Sequence, residues 1–223
     1  AISGVATRAL APASATQAAL IGTGPQAVTQ LAALAAVRKL RRVRVYSPTP
    51  AKRRAFVDAV SGKYAFTIEE SPTLEHALAG AEIVTLITRA VEPFVDAAQL
   101  ADCRHLNAVG AILPAKAEFA QDVFERADRV VVDDLENARR GSRELRERYG
   151  ADGAPWDVVA VLGDLLARRE TRAPDARLTL FKGMGMGLSD LAMAQVAYEH
   201  ARDHGLGVAL PPQTRDNLLL AQP

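Results

Sequence analysis

Short apolar runs alternate with helical segments through most of this chain. The clearest run, Ile83–Thr88 (IVTLIT), is continuous and rich in β-branched residues, as is typical of a strand buried on both faces of a sheet. Further strands are predicted at Ala18–Gly22, Val43–Ser47, Phe66–Glu70, Leu106–Val109, Val130–Asp133 and Leu178–Phe181. Because strands that alternate with helices join through right-handed crossovers, we predict an α/β fold with a doubly wound parallel sheet.

Helical periodicity fills the segments between these runs. Helices are predicted at Gln26–Leu40, Lys52–Val60, Thr73–Ala79, Glu118–Arg126, Val158–Arg169 and about Ser189–His204. The highly charged segment Leu135–Tyr149 is expected to be a solvated helical segment.

The charge balance bears on the class of partner. The 223 residues include 27 Lys+Arg and 26 Asp+Glu, a formal net charge of +1, which argues against a nucleic-acid binder that depends on phosphate contacts. No apolar run reaches the roughly 20 residues of a membrane span, and no signal-peptide pattern opens the chain. We therefore expect a cytoplasmic protein with no membrane partner.

Few residues in the sequence point to metal or thiol chemistry. The one cysteine, Cys103, excludes an internal disulfide and lies in no motif of a nucleophile. His200 and His204 have the i, i+4 spacing of two zinc ligands, but no third ligand is evident. We predict no metal site.

The turn after the first predicted strand carries the sharpest local signal. The segment Gly22–Ala27 (GTGPQA) fits the pattern G-x-G-x-x-G/A between a strand and a helix. Gly22 permits a tight turn, Gly24 lets the backbone approach a pyrophosphate, and Ala27 keeps the helix close to the sheet. The structural alternative is a glycine-rich turn without a nucleotide, but its placement favours dinucleotide binding.

The end of the second strand predicts which dinucleotide is bound. An Asp or Glu there would bond the ribose 2′-hydroxyl of NAD, whereas this chain has Ser47 and Thr49 with the cations Lys52–Arg54 just beyond. Hydroxyls and cations suit a 2′-phosphate, so NAD(P) is predicted with NADP favoured. The alternative is that Lys52–Arg54 form the solvated first turn of a helix.

Motifs along almost the whole chain resemble those of the ornithine cyclodeaminase/mu-crystallin family, in the same order and at compatible spacing. The matching segments are Ala18–Gln30, Val43–Thr49, Gly80–Val84, His105–Gly110, Pro114–Glu118, Leu180–Ala192 and Tyr198–Ala201.

The resemblance implies a homodimer whose subunits combine a Rossmann domain with a substrate-binding and dimerisation domain. The Rossmann domain would span residues 15–182, with residues 1–14 as a helix remnant of the other domain and residues 183–223 as its C-terminal helix and tail. The family's substrate-carboxylate-binding residues would precede Ala1. The chain by itself is therefore expected to be a fragment and to be inactive.

The resemblance also implies site residues. The pyrophosphate would contact Gly22, Thr23, Gly24, Pro25 and Gln26, and the adenosine ribose would contact Ser47 and Thr49. Other parts of the cofactor would contact Thr88, Asn107, Ala108, Val109, Lys116 and Gly183. The substrate would contact Met184. Arg89 departs from the family, which usually has a small or polar residue there.

Ile112 is the most informative departure. The family's cyclodeaminases have an aspartate at this position, proposed to activate water or an amine, and isoleucine cannot exchange a proton. The leading hypothesis is an NAD(P)-dependent oxidoreductase acting on a small amino or imino acid, a ketimine reductase or amino-acid dehydrogenase. The second is an ornithine cyclodeaminase that uses Glu118 or Lys116 instead. The third is a non-catalytic protein that binds NAD(P) or another small ligand.

Overall fold

A computed structural model describes residues 2–150 and 156–210. The strands are β1 (Gln17–Ile21), β2 (Arg42–Tyr46), β3 (Thr67–Glu70), β4 (Ile83–Leu86), β5 (His105–Ala108), β6 (Ala127–Val132), β7 (Val159–Val161) and β8 (Leu178–Lys182). The α-helices are α1 (Ile2–Leu10), α2 (Pro25–Val37), α3 (Pro50–Val60), α4 (Leu74–Leu78), α5 (Val123–Arg126), α6 (Leu135–Gly141), α7 (Arg143–Tyr149), α8 (Leu162–Ala167) and α9 (Gly187–Asp203).

The eight strands form one parallel sheet in the order β3-β2-β1-β4-β5-β8-β6-β7. The strand order reverses between β1 and β4. On the β1 side the sheet continues with β2 and β3, and on the β4 side it continues with β5, β8, β6 and β7. Ile21 at the end of β1 is paired with Tyr46 of β2 and with Leu86 of β4, so the carboxyl ends of these strands meet at one edge. The predicted doubly wound Rossmann-type α/β fold is confirmed.

Both faces of the sheet are buried, as the continuous apolar runs predict. Ala19 and Ile21 of β1 pack into a core with residues of α4, α5 and α7, whereas Ala18 and Leu20 pack into a core on the α2 and α3 side. This alternation follows from the two-residue period of a strand. Apolar packing on both faces fixes the sheet and thus the edge where its strands end.

Helix α1 packs on α2 and the sheet, and its end is held by an arginine. The Arg38 guanidinium donates from Nη2 to the carbonyls of Thr7 and Ala11, both at 2.6 Å, and from Nε to that of Pro12 at 2.9 Å. The Ala11 carbonyl, just beyond the last turn of α1, has no backbone donor among the described residues, whereas the carbonyls of Thr7 and Pro12 also accept from Ala11 N at 3.0 Å and Ala15 N at 3.2 Å. The contacts make α1 part of the same compact unit as the sheet.

The chain divides into two compact units, one ending at Met186 and one beginning at Gly187. The predicted boundary between residues 182 and 183 lies a few residues earlier. The second unit contains α9, which confirms the predicted helix with a start at Gly187. The rest of the predicted tail, residues 211–223, lies outside the described residues.

The predicted helix at Val158–Arg169 is wrong in its first part. Val159–Val161 forms β7, which pairs with Val130–Val132 of β6, and the helix α8 begins only at Leu162. Local propensity is weak for so short a segment, and here β6 offers backbone partners that draw the β-branched Val159 and Val161 into the sheet.

Two other helix predictions are corrected. Of the predicted Glu118–Arg126 only α5 is helical, because Phe119 forms a parallel bridge with Val95 and Ala120 N donates to Val95 O at 2.8 Å. The predicted solvated segment Leu135–Tyr149 divides at Ser142 into α6 and α7, and Leu145 within it is fully buried.

In the part of the chain that the structure describes, no helix combines the length and the apolar character needed to cross a membrane.

Candidate functional site

A cleft of about 1140 Å³ opens at the carboxyl edge of the sheet. Its walls come from the segments that follow β1, β2, β4 and β5, and therefore lie where the strand order reverses. Ligands of open parallel sheets bind at this place, because the loops diverge there and the helix N-termini point inward.

The glycine turn forms one wall. Gly22 has φ +117°, and a Cβ on it would lie 2.2 Å from the Ile87 carbonyl oxygen, so no other residue fits. A Cβ on Gly24, in contrast, would meet nothing within 4 Å. Gly24 caps α2 without a side-chain hydrogen bond, and Pro25 opens the helix. Gly22, Thr23, Gly24, Pro25 and Gln26 all line the cleft, as predicted.

The end of β2 forms the adjoining wall. Ser47, Thr49 and Lys52 line the cleft, whereas Arg53 is buried and donates from Nη1 to the Ser47 carbonyl at 2.8 Å. Arg54 is exposed and lies 3.4 Å from Glu70 Oε1. Of the three predicted cations, Lys52 lines the cleft, Arg53 supports its wall from behind, and Arg54 faces away.

A buried carboxylate joins two walls. Glu118 Oε1 accepts hydrogen bonds from Thr88 N and Thr88 Oγ1, both at 2.7 Å, and Oε2 accepts from Gly110 N at 2.9 Å and Ala111 N at 3.1 Å. All four partners are donors, so both oxygens act as acceptors. Glu118 is fully buried and is not part of the cleft lining, so its contacts favour a structural role over proton exchange with a ligand.

An ion pair lies directly behind Glu118. Lys182 and Glu144 are fully buried, with 3.1 Å between Lys182 Nζ and Glu144 Oε1. Lys182 Nζ also donates to the Ala111 carbonyl at 2.6 Å, and Glu118 N donates to Glu144 Oε1 at 3.1 Å. Nothing in the linear sequence marks Glu144, which stands in a charged segment, as a buried partner of Lys182.

Of the predicted cofactor residues at the ends of β5 and β8, one lines the cleft and three do not. Val109 lines the cleft, but Asn107 turns its side chain to the α1 side of the sheet, where Nδ2 donates to Thr7 Oγ1 at 2.9 Å. Gly183 N donates to the Ala108 carbonyl at 3.1 Å, and a Cβ on Gly183 would lie 3.0 Å from Val109 Cγ1. The roles of Asn107, Ala108 and Gly183 in cofactor binding stay predictions.

Met184 is buried, and its segment is held by a carboxylate. Asp133 accepts from Met184 N through Oδ1 and from Gly185 N through Oδ2, both at 2.8 Å. A Cβ on Gly141 would lie 2.9 Å from both Met184 Cε and the Ile112 carbonyl oxygen, so the segments of Met184 and Ile112 meet at Gly141. Asp133 at the end of β6 is a supporting residue that no sequence motif marks.

The cleft is cationic and has an apolar border. Lys52, Arg89 and Lys116 line it, and none of the three has a carboxylate oxygen within 4 Å among the described residues. No Asp or Glu belongs to the described lining, while Ile112 and Leu113 do. Such a cleft attracts an anionic ligand and offers no proton acceptor at Ile112.

Two titratable groups behind the sheet edge are shifted by burial. Burial lowers the pKa of His105 to about 3, and burial raises the pKa of the Cys103 thiol to about 12. His105 pairs with Thr179 Oγ1 at 2.8 Å and Asn107 Oδ1 at 3.1 Å. Neither group lines the cleft, so both belong to the interior of the fold.

Across residues 2–150 and 156–210, no three His, Cys, Asp or Glu side chains are grouped so that they could hold a metal ion. The ring centroids of His200 on α9 and His204 just after it are 4.1 Å apart, and His204 Nδ1 bonds the His200 carbonyl.

The chain is similar to dehydrogenases and reductases of amino and imino acids. It is 32% identical over 210 residues to a Delta(1)-pyrroline-2-carboxylate reductase of Bacillus cereus, across 93% of this chain and 64% of the relative. The Delta(1)-pyrroline-2-carboxylate reductase of Thermococcus litoralis, solved with NADH and L-proline, superposes with a TM-score of 0.85 at 29% identity, across 94% of this chain and 65% of that one. An archaeal alanine dehydrogenase dimer with bound NAD superposes with a TM-score of 0.82 at 28% identity, across 94% of this chain and 65% of that one.

This chain spans less than two thirds of the length of these relatives. The family model of the ornithine cyclodeaminase/mu-crystallin family matches residues 1–205, nearly all of the residues given. On the fold, the glycine turn and this match, the chain belongs to the ornithine cyclodeaminase/mu-crystallin family.

Proposed function

We propose that this protein is an NAD(P)-dependent oxidoreductase that acts on a small amino or imino acid, of the ketimine reductase or amino-acid dehydrogenase type. The observation that carries the proposal is the glycine turn, which opens on a cationic cleft with no carboxylate in its described lining. The reductase and dehydrogenase relatives, two of them solved with NADH or NAD, support it.

The residues around the turn fit a dinucleotide. Gly22 keeps the backbone tight against Ile87, and the open space at Gly24 leaves room for a pyrophosphate at the N-terminus of α2. Ser47 and Thr49 would bond the adenosine ribose, and Thr88, Val109 and Lys116 would border the rest of the cofactor. When bound, the nicotinamide supplies the hydride chemistry, and the protein mainly has to orient it against a C=N carbon.

Lys116 is the side chain we propose for proton handling. It lines the cleft, is half-buried, and carries its Nζ without a carboxylate partner among the described residues. Its Nζ could donate a proton to the substrate nitrogen or pair with the substrate carboxylate. Glu118, the other candidate, has both oxygens engaged by four donors, which weakens the hypothesis of a cyclodeaminase that uses it.

NADP remains the proposed preference. Ser47, Thr49 and Lys52 line the cleft at the end of β2, no Asp or Glu is in its described lining, and Glu70 is engaged with Arg53 and Arg54. A 2′-phosphate would therefore meet hydroxyls and an ammonium without a facing carboxylate.

A homodimer is proposed from the family and from the dimeric alanine dehydrogenase. Exposed Leu188, Leu191 and Met193 on α9 provide apolar surface for such an interface. The expected cytoplasmic location stays a prediction.

The activity is tested by following NADPH and NADH oxidation by the purified full-length protein with cyclic and N-alkylated α-imino acids. We expect turnover of the imino acids, and at limiting cofactor concentration we expect it to be faster with NADPH than with NADH. L-Ornithine serves as the comparison substrate. Conversion of ornithine to proline without imine reduction would reject the proposal, and cofactor binding without any turnover would favour a non-catalytic binding protein.

A further inference from the structure

Beyond the last backbone bonds of the sheet, buried charged side chains link the segments that follow β4 and β5 to the end of β8. The Glu118 carboxylate joins Thr88, beyond the end of β4, to Gly110 and Ala111, beyond the end of β5. Lys182, the last residue of β8, donates to the carbonyl of Ala111. Two neighbouring loops at the cleft, after β4 and after β5, therefore depend on side chains that do not line the cleft themselves.

Glu144 completes this arrangement from α7. Its Oε1 accepts from Lys182 Nζ and from Glu118 N, both at 3.1 Å, and its Oε2 accepts from Ser142 Oγ at 3.0 Å. Lys182, Glu144 and Glu118 are all fully buried, and none of their side-chain atoms is among the unpartnered polar atoms of the described residues. Because an unpaired buried charge is strongly unfavourable, removal of one partner disturbs the others.

The loops also lie so close together that they cannot move independently. A Cβ on Gly110 would lie 2.2 Å from Thr88 N and 2.5 Å from Glu118 Oε1. A displacement of Glu118 is thus transmitted directly to Thr88 and Gly110, both of which line the cleft. The other end of the cleft, at Gly22–Gln26 and Ser47, shares no described hydrogen bond with these three side chains.

We propose that Lys182, Glu144 and Glu118 are positioning residues that hold the nicotinamide half of the cleft in its binding shape. The inference rests on the proposed function for the identity of the ligand. A dinucleotide that binds across the switch point places its adenosine half near β2 and its nicotinamide half near β4 and β5. Among the described residues, the hydrogen bonds of these buried charges reach the cleft only in the second half, so we expect their loss to affect that part of the ligand more.

Glu118→Gln is the direct test, because it keeps the side-chain volume but replaces one acceptor oxygen with a donor facing N–H groups. The measurement compares dissociation constants of NADH and of ADP-ribose, which lacks the nicotinamide, for the purified protein by calorimetry. We expect NADH binding to weaken by about tenfold or more, as for the loss of hydrogen bonds to a charged group, while ADP-ribose binding changes less than about twofold. Glu136→Gln, an exposed change on α6, is the matched control and should alter neither constant.

A purely structural role predicts a different result. Equal weakening of both ligands, or no change in either, would overturn the positioning inference while leaving the proposed function intact. If the unaltered protein binds none of NADH, NADPH and ADP-ribose, both the inference and the proposed function are rejected. Glu144→Gln, which keeps an acceptor for Lys182, is the second variant should Glu118→Gln not fold, and the same selective loss of NADH affinity is expected.

Discussion

At the scale of single residues, two glycines carry the geometry of the cleft for different reasons. Gly22 needs its positive φ and its contact with Ile87, whereas Gly110 needs only the absence of a Cβ against Thr88. The sequence pattern predicts the first, because G-x-G-x-x-G/A is a local motif. The need for glycine at position 110 has no local signal, because it depends on Thr88, which lies beyond β4 and more than 20 residues away in the chain.

Gly22→Ala should both destabilise the fold and weaken dinucleotide binding. The added methyl would have to move the Ile87 backbone, so the free energy of unfolding should fall by at least about 1–2 kcal/mol. Urea unfolding and NADH titration measure the two effects. Gly163→Ala is the control: it lies within α8 with open space around it, and should raise stability by about 0.5–1 kcal/mol. Full NADH affinity in Gly22→Ala would contradict the assigned role of the turn.

His105 makes the stability depend on pH. Burial lowers its pKa to about 3, so the folded state keeps it neutral where the unfolded chain, with a pKa near 6.5, takes up a proton. Its contribution is therefore complete above about pH 6.5 and is lost as the pH falls toward 3. Between about pH 7 and 5, the free energy of unfolding should fall by about 2 kcal/mol more in the unaltered protein than in His105→Gln. If the free energy of unfolding changed equally with pH in the two proteins, His105 would not be the source of the pH dependence.

At the scale of elements, all the strands are predictable from the sequence except β7 at one edge of the sheet. The runs that become β1 and β4 are apolar enough to be buried on either face, whereas β5 and β8 also bury His105, Asn107 and Lys182, which need specific partners. β7 has three residues, and its pairing requires the free edge of β6, which only the folded sheet provides. Helix α5 is short for a related reason, since Phe119 and Ala120 bond Val95 instead.

Arg38 should be decisive for the attachment of α1. Arg38→Ala would leave the Ala11 carbonyl without its donor and would remove the second donor of the Thr7 and Pro12 carbonyls, at an expected loss of about 1–3 kcal/mol in the free energy of unfolding. Chemical denaturation measures the loss, and the exposed neighbour Lys39 provides the control, with Lys39→Ala changing stability by less than about 0.5 kcal/mol. Equal effects of the two substitutions would show that Arg38 does not hold the helix.

At the scale of the whole molecule, a net charge of +1 conceals a local excess of positive charge. Lys52, Arg89 and Lys116 come from three separate segments and meet in one cleft that has no acid in its described lining. Composition alone cannot reveal this, because it sums charges that the fold separates. The charge that matters for a ligand is therefore set by topology.

The local excess predicts that dinucleotide binding weakens as salt rises, because added ions screen the attraction. NADPH titrations at increasing NaCl concentration should show a several-fold rise in the dissociation constant, with a shallower dependence for Arg89→Gln. Arg54→Gln removes the same charge from outside the cleft, where Arg54 lies against Glu70, and should keep the full salt dependence. If the dissociation constants of the two variants depended equally on salt, Arg89 would not contribute to the binding surface.

The sequence alone determined the alternation of strands and helices, the glycine turn and the family, since each depends on residues close together in the chain or on the order of motifs. Only the tertiary structure decided that Glu118 is enclosed by four donors, that Lys182 and Glu144 pair behind it, and that Asn107 faces α1. These contacts join residues from different strands and helices, and their burial depends on packing that no single segment specifies.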